Sequence, residues 1–394
     1  MPRACCKPSS PIAATVQIIE FTADSLRFVE DLPQQAPSDG FVWIFLDRSD
    51  FPQHQERVQA AAQKLGGSAL LDVHLADLRN DAHPSHYDST SIYDLVIFRR
   101  LATQSEVQTD RERVAAKTLA QGHTQHSAPP DAFDRIDTRA VGFAIFDRLL
   151  ISVHPNSCYT ANNFVQRFLS DAQMSVDASS ARNRIPQSPA DLLLRLVNHM
   201  VDSYLDLRKD LSASLESTQH DLLRADPRPE VWNIVIHVRQ RLHVLEDLCE
   251  EQHDAMQEWL DTVGELPLSS YAAETLQAQA RRDQLMARAR DVIEHIDRVL
   301  HHARRLEQTI ETAVQLHFSV QGQRANDIMR TLTAVTAVFL PLNLFTGFFG
   351  MNFVHLPLIQ STEGMWLALA LMALLALGIV VMFWRRRYIT RSER

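Results

Sequence analysis

The spacing of hydrophobic positions changes twice along this chain. Up to about residue 180 the apolar residues come in short runs rich in β-branched and aromatic side chains. Phe41–Asp47 (FVWIFLD), Tyr93–Leu101 (YDLVIFRRL) and Ala140–Val153 (AVGFAIFDRLLISV) have the length and composition of core strands, and the last turns back near Asp147-Arg148. Gln53–Leu65 carries helical spacing between the first two. Thr103–Arg135 is polar, contains Pro129-Pro130, and predicts a loop or an extended hairpin tip.

From Ser188 the period becomes helical. Ser188-Pro189-Ala190-Asp191 opens a helix, with serine as N-cap and proline at the first position. Apolar residues recur at three- and four-residue steps to about Ala225, where Asp226-Pro227-Arg228-Pro229 breaks the pattern. A second helix is predicted from Glu230 to about Gly264, ended by Gly264 and Pro267. A third begins near Ser269-Ser270 and meets no proline before Pro341. At about 1.5 Å per residue it extends roughly 100 Å. Helices of that length need partners along their length, and other copies of the chain are the simplest ones.

Near the C-terminus the apolar residues become nearly continuous, over Ile328–Phe349 and again over Met365–Trp384. Each run is about as long as a helix crossing the hydrocarbon layer, and the second holds no charge. The second is apolar all round and is assigned to the lipid-facing outside. The first is sided. At about 100° per residue, Met329, Leu332, Thr336, Leu340, Asn343 and Gly347 fall on one narrow arc, opposite Ala334, Val338, Phe345 and Phe349. A carboxamide in hydrocarbon needs a partner or water. Asn343 therefore predicts either an interhelical hydrogen bond or a water-filled path. One such span cannot enclose a path, so several copies must surround it. Met329, Leu332 and Leu340 on the same arc would form apolar constrictions that gate by dewetting, or plain packing contacts.

Charge adds a direction. The 394 residues leave room for two or three domains, and 22% of them are charged. The formal charge is -9; Arg385, Arg386, Arg387, Arg391 and Arg394 against Glu393 make the tail after Trp384 +4, leaving -13 for the rest. A basic cluster directly after a span reads as cytoplasmic, although a plain stop-transfer anchor would carry the same residues. Met1–Ser10 is not followed by the apolar core of a signal peptide. The expectation is a cytosolic N-terminal part, with an even number of spans returning the C-terminus to the same side. Cys5, Cys6, Cys158 and Cys249 show no paired metal spacing and read as free thiols in a reducing compartment.

Between the two spans stands Gly350-Met351-Asn352. Together with Leu340-Pro341-Leu342, Gly347-Phe348-Phe349 and the upstream Asn326-Asp327-Ile328-Met329-Arg330-Thr331-Leu332-Thr333, it resembles the CorA family of divalent-cation channels, within the CorA/ZntB superfamily. The resemblance covers the last hundred residues strongly, back to Asp291-Val292-Ile293-Glu294-His295, and the N-terminal domain only loosely. It implies an α+β cytosolic domain followed by long stalk helices and two C-terminal transmembrane helices, assembled as a homopentameric funnel. The divisions are then an N-terminal cytosolic α/β domain over 1–187, a long-helix stalk over 188–327 and a pore-lining span over 328–349. An outer loop over 350–364, a second span over 365–384 and a basic cytosolic tail over 385–394 complete it. The implied location is a bacterial-type inner (plasma) membrane, multi-pass, with both termini cytosolic.

The resemblance also implies roles. Gly350, Met351 and Asn352 would form the selectivity loop, and Asn326 would join the arc residues in lining the pore. Asp77 and Asp291, with His295 as a further ligand, would hold the regulatory cytosolic Mg²⁺ between subunits. Mg²⁺ sheds water reluctantly and prefers oxygen, so a ring of Asn352 carboxamides can hold the ion through its own waters. The loop departs from the magnesium-transport pattern: Phe353-Val354-His355-Leu356-Pro357-Leu358 has no carboxylate and only Glu363 remains acidic. A weaker anionic mouth concentrates cations less, which keeps Zn²⁺, Co²⁺ and Ni²⁺ open beside Mg²⁺, and with them ZntB-like proton-coupled zinc transport.

Other groups have two readings each. Asp291, His295 and His302 share one helical face, and imidazole suits Zn²⁺, Co²⁺ and Ni²⁺; the plainer reading is a solvated polar stripe. His83-Pro84-Ser85-His86 is a ligand pair or simply a turn. The run Glu246, Asp247, Glu250, Glu251 and Asp254 attracts cations or merely solubilises a helix. A membrane-anchored oligomeric scaffold or sensor is the alternative outside transport. No H-E-x-x-H, P-loop, G-x-G-x-x-G or G-x-S-x-G supports an enzyme, and the acidic soluble part disfavours nucleic acid.

Overall fold

The computed structural model describes residues 16–22, 25–120, 132–155, 185–224, 229–265, 272–351 and 362–385. It forms two units, Met1–Ile310 and Glu311–Arg394.

The first unit is built on one mixed sheet. Its strands are β1 (Gln17–Thr22), β2 (Leu26–Val29), β3 (Gly40–Asp47), β4 (His86–Ser89), β5 (Asp94–Leu101), β6 (Thr138–Ile145) and β7 (Leu149–His154), in the order β2-β1-β3-β7-β6-β5-β4. Only the β3–β7 pair is parallel. The three apolar runs of the sequence thus become β3, β5 and the β6–β7 hairpin, with residues 146–148 between the strands. Strands β1, β2 and β4 are too short and too polar to stand out by composition.

Alternation gives the sheet two buried faces. On one, Val42, Ile44, Leu46, Leu95, Ile97, Leu149, Ile151 and Val153 pack with Phe51, Val58 and Ala61 of α1 (Phe51–Ala61) and with Leu75 and Leu78 of α2 (Asp72–Arg79). A π turn over Ala62–Gly66 follows α1, so the helical spacing read over Gln53–Leu65 is realised as two linked pieces. Helix α2 lies hard against β6: a Cβ on Gly142 would come within 2.4 Å of Leu78 Cδ2. Arg48 fixes its far end, donating to the carbonyls of Leu78 (3.2 Å) and Ala140 (2.7 Å) and pairing with Asp81. The opposite face buries Trp43, Phe98 and Phe143. There Trp43 Nε1 donates to Ser152 Oγ, which also meets His154 Nε2, each at 2.8 Å. Burial, with Arg100 and Arg48 nearby, pushes the His154 pKa down to about 3.

The segment expected to be a loop folds differently. Helix α3 occupies Gln104–Ala120. Thr103 and Glu106 form a reciprocal cap: Thr103 N–H donates to Glu106 Oε2 (2.8 Å), and Glu106 N–H lies 3.4 Å from Thr103 Oγ1. Thr-x-x-Glu is a capping-box pattern, and it outweighs the low apolar content that suggested a loop. Glu106 also takes both terminal nitrogens of buried Arg100, at 2.9 and 2.7 Å. Pro129-Pro130 lies outside the described residues.

Three long helices follow. They are α4 (Pro189–Leu222), α5 (Pro229–Glu265) and α6 (Ala272–Phe349). Ser188 caps α4 as its sequence predicts, accepting the Asp191 N–H at 3.1 Å. Helix α4 covers the second sheet face through Leu192, Leu193, Leu196 and Val197. Buried Asp191 joins three segments, accepting from Gln187 N–H and pairing with Arg195 and with Arg288 of α6 (2.6 Å). On α6, Val292, Ile296, Val299, Ala303, Leu306 and Ile310 are buried at three- and four-residue steps, a packing seam. Cys249 of α5 is buried and free; burial and neighbouring carboxylates raise its pKa to about 12, so it is inert. Cys5, Cys6 and Cys158 lie outside the described residues.

The second unit comprises the remainder of α6 and α7 (Thr362–Arg385). Pro341 sits inside α6 without ending it. Proline is tolerated in apolar spans, and the helix continues to Phe349. There Gly350 N–H bonds the Thr346 carbonyl (2.9 Å) and Met351 N–H the Phe348 carbonyl (3.4 Å).

Asp191→Ala strands two partly buried guanidinium groups and should cost about 2–3 kcal/mol. Ser188→Ala should cost only about 1 kcal/mol. Thermal unfolding of the purified full-length protein checks the ranking, which equal midpoints would refute.

Candidate ion pathway and cation-binding groups

Within the second unit, α6 presents one long exposed face among the described residues. Met329, Leu332 and Leu340 are 67%, 64% and 69% exposed, and Asn326, Thr336, Asn343 and Gly347 are exposed with them. The opposite arc differs: Ala334, Val338 and Phe345 are half-buried. From Thr331 to Ser361 the sequence carries no Asp, Glu, Lys or Arg. Helix α6 alone is long and apolar enough to cross a membrane, and Trp366–Met382 forms a shorter apolar helix, among the described residues. Apolar surface of this size does not stay in water. Hydroxyls are satisfied internally, as a low-dielectric setting requires: Thr331, Thr333 and Thr336 donate to the carbonyls of Asp327, Met329 and Leu332. Asn343 is the carboxamide within the charge-free stretch of this face, with its side chain exposed.

The Gly-Met-Asn loop is only partly in view. Gly350 and Met351 close α6, whereas Asn352 lies outside the described residues. Arg385 ends α7; Arg386 and Arg387 lie outside them.

In the first unit, Asp77 sits half-buried on α2, with Oδ1 3.5 Å from His83 Nε2. The His83 and His86 rings are 6.0 Å apart, so Asp77, His83 and His86 gather beside the start of β4. Asp291 is exposed on α6, and its Oδ1 lies 3.9 Å from His295 Nε2. His295 also contacts Asp202 of α4, Nδ1 to Oδ1 at 3.2 Å. Sequence spacing placed Asp291 and His295 on one face but could not show Asp202, which joins them from a separate helix. Within one chain Asp77 pairs with His83 and Asp291 with His295.

His302 does not belong to a solvated stripe. It is 6% exposed, and its Nδ1 lies 2.5 Å from the Tyr204 hydroxyl, with Nε2 3.4 Å from Ser212 Oγ. Burial, with Arg208 and Arg305 nearby, lowers its pKa to about 4. It is a packed α4–α6 contact. The acidic run on α5 divides similarly. Glu246 and Glu250 pair with Arg304 of α6, and Glu251 accepts the Ser85 N–H at 3.0 Å.

The family model for the CorA-like Mg²⁺ transporter protein matches residues 82–387, so the chain belongs to that family. Asp291 lies within the matched stretch and Asp77 just before it. The cobalt/magnesium transport protein CorA of Methanocaldococcus jannaschii is 23% identical over 254 residues, 64% of this chain and 73% of the relative. The magnesium transport protein CorA of Haemophilus ducreyi is 26% identical over 328 residues, 81% of this chain and 96% of the relative. The complete structure of the CorA magnesium transporter from Methanocaldococcus jannaschii matches with a TM-score of 0.66 at 16% identity, over 95% of this chain and 99% of that one. At that identity the likeness establishes the fold: an N-terminal α/β domain, long helices and C-terminal apolar helices.

His302 has a pKa lowered from 6.5 to about 4, so the unfolded chain binds more protons between those values. Its contribution is complete above pH 6.5 and is lost as pH falls toward 4. His302→Gln should flatten the fall of the unfolding midpoint in that window. A slope unchanged from wild type would refute the assignment.

Proposed function

We propose that this chain forms a homopentameric CorA-like channel that passes divalent metal cations, foremost Mg²⁺, into the cytosol. It works as a transport protein rather than an enzyme. The observation that carries the reading is the bare, charge-free face of α6, with Asn326, Thr336 and Asn343 spaced among Met329, Leu332 and Leu340. Membership of the CorA-like family and the names of the relatives support it.

In this reading five copies of α6 surround a hydrated path in a bacterial-type inner membrane, the second span faces lipid, and both termini are cytosolic. The divisions are a cytosolic α/β domain over 1–187, a stalk over 188–327, spans over 328–349 and 365–384 around a loop over 350–364, and a basic tail carrying Arg385, Arg386 and Arg387. Gly350, Met351 and Asn352 form the outer entrance. Carboxamides hydrogen-bond the waters of the aquated ion, which avoids the cost of stripping Mg²⁺. The Gly347 side of the helix stays open, since an added Cβ there would touch nothing. Methionine and leucine rings along the face close the path by dewetting. The membrane potential drives entry: two charges moved through 100 mV are worth about 4.6 kcal/mol.

Control comes from the cytosolic ion. Asp77 on one copy and Asp291 on its neighbour repel until a dication lies between them, so ion loss loosens the interface and opens the path. His295, held by Asp202, lies beside Asp291 and widens the choice of ion toward Zn²⁺, Co²⁺ or Ni²⁺.

Asn352→Ala should abolish Mg²⁺ uptake into proteoliposomes while the oligomer keeps its elution volume; undiminished flux would reject the selectivity role. Asp291→Ala should weaken the protection from proteolysis that added Mg²⁺ confers, and full protection in the variant would remove Asp291 from control. Uptake of Mg²⁺, Zn²⁺, Co²⁺ and Ni²⁺ should be compared with and without a pH gradient. Gradient-independent Mg²⁺ flux is expected, whereas gradient-dependent Zn²⁺ flux would establish the ZntB-like mode instead.

A further inference from the structure

Helices α5 and α6 run antiparallel along a seam of ion pairs. His243 meets Glu307, Nε2 to Oε1 at 3.3 Å, and His253 meets Asp297, Nε2 to Oδ1 at 3.8 Å. The two contacts are in register, ten residues apart on each helix (243 to 253, 307 to 297). At the first contact a third ligand-type group closes in. Glu246 Oε2 lies 3.9 Å from His243 Nδ1. His243, Glu246 and Glu307 each place a ligand atom within 4.8 Å of the others, the one group of three to do so among the described residues.

We propose that His243, Glu246 and Glu307 bind a first-row transition dication such as Zn²⁺, Co²⁺ or Ni²⁺ within a single chain, clamping α5 to α6. The donor set is one imidazole and two carboxylates, and imidazole favours these ions over Mg²⁺. Metal–ligand bonds of about 2.0–2.2 Å place neighbouring tetrahedral ligands about 3.3 Å apart. The His243 Nε2–Glu307 separation already has that value. The 3.9 Å contact of Glu246 is to the other ring nitrogen, so Glu246, with a ligand atom inside the 4.8 Å group, reaches an ion on Nε2 by a side-chain rotation.

The surroundings fit such an ion. Arg304 Nε holds Glu246 Oε1 at 2.7 Å, leaving Oε2 turned toward His243. A partner that orients a ligand in this way is typical support for a metal. Arg304 also pairs with Glu250 at 2.5 Å. Glu246, Glu250 and Glu307 against Arg304 leave a local charge of -2 with His243 neutral, which one dication cancels. Glu246 and Glu307 are half-buried whereas His243 is exposed, so the ion has an open approach and the carboxylates a reason to want it. The other histidine seams differ: His253 contacts Asp254 and Asp297, and His295 contacts Asp202 and Asp291, without three ligand atoms converging in either group. The proposed site is also separate from Asp291. Sixteen residue steps of α6 (307 less 291) separate Asp291 from Glu307, about 24 Å of helix.

The test uses full-length protein in detergent with saturating Mg²⁺, so that sites preferring Mg²⁺ stay filled. Co²⁺ is then titrated and its visible d–d absorption recorded. Wild type should gain an absorbing Co²⁺ equivalent per chain that Zn²⁺ bleaches. His243→Ala and Glu307→Gln should each lose that equivalent, with oligomer size and Mg²⁺-dependent protease protection unchanged. His243 is exposed and Glu307→Gln keeps the side-chain shape, so both variants should fold. The proposal fails if wild type shows no such equivalent, or if either variant keeps it. Because the readout is binding, it stands or falls apart from transport.

Discussion

The governing constraint is the free energy of apolar surface left uncovered on α6. A lone chain exposes Met329, Leu332, Leu340 and Leu344 together, without one charged side chain between Thr331 and Ser361. At roughly 25 cal/mol per Å² of apolar area, no water-facing helix sustains such a face. Lipid or sister helices must cover it. Asn343 and Thr336 make the two kinds of cover unequal: threonine satisfies its donor on its own helix, whereas the carboxamide is exposed. The proposed ring of copies around water would meet both demands at once.

The first unit answers a different need. Its central strands β3, β5, β6 and β7 are buried on both faces and apolar on both sides, so that part of the sheet is stiff. Helix α2 is held on β6 by the Gly142–Leu78 approach and by Arg48, which gives Asp77 a defined position. Helix α6 is held by Asp191 and Arg288, by the Tyr204–His302 contact and by the seam with α5, which does the same for Asp291 and His295. A carboxylate can report an ion only if its backbone does not drift. Rigid elements under half-buried Asp77 and exposed Asp291 would suit the proposed control by a cytosolic ion.

Much of this was legible in order of residues alone. Strands β3, β5, β6 and β7 announce themselves because both faces are buried and their apolar runs are unbroken. Ser188 announces α4 because capping is local chemistry. The terminal motif around Gly350 was legible because its residues are contiguous. What stayed hidden depends on distant partners or on quiet local signals. Helix α3 was readable from Thr103 and Glu106, but its polarity masked the box. His302 looked like a surface residue until Tyr204, 98 positions away, supplied the lid. Asp202 and Arg304 enter their clusters from other helices, and no helical wheel of one segment contains them. Asn352, the last residue of the Gly-Met-Asn motif, lies outside the described residues.

Water access along the first span tests the central claim most directly. In a background lacking the native cysteines, single cysteines are placed at Thr336, Leu340 and Asn343, and at Val338 and Phe345 on the opposite arc. A small charged thiol reagent is then applied to the assembled protein in membranes. Rapid modification at 336, 340 and 343 with protection at 338 and 345 is the predicted pattern. Equal protection on both arcs, or faster reaction at 338 and 345, would contradict a hydrated path on that face.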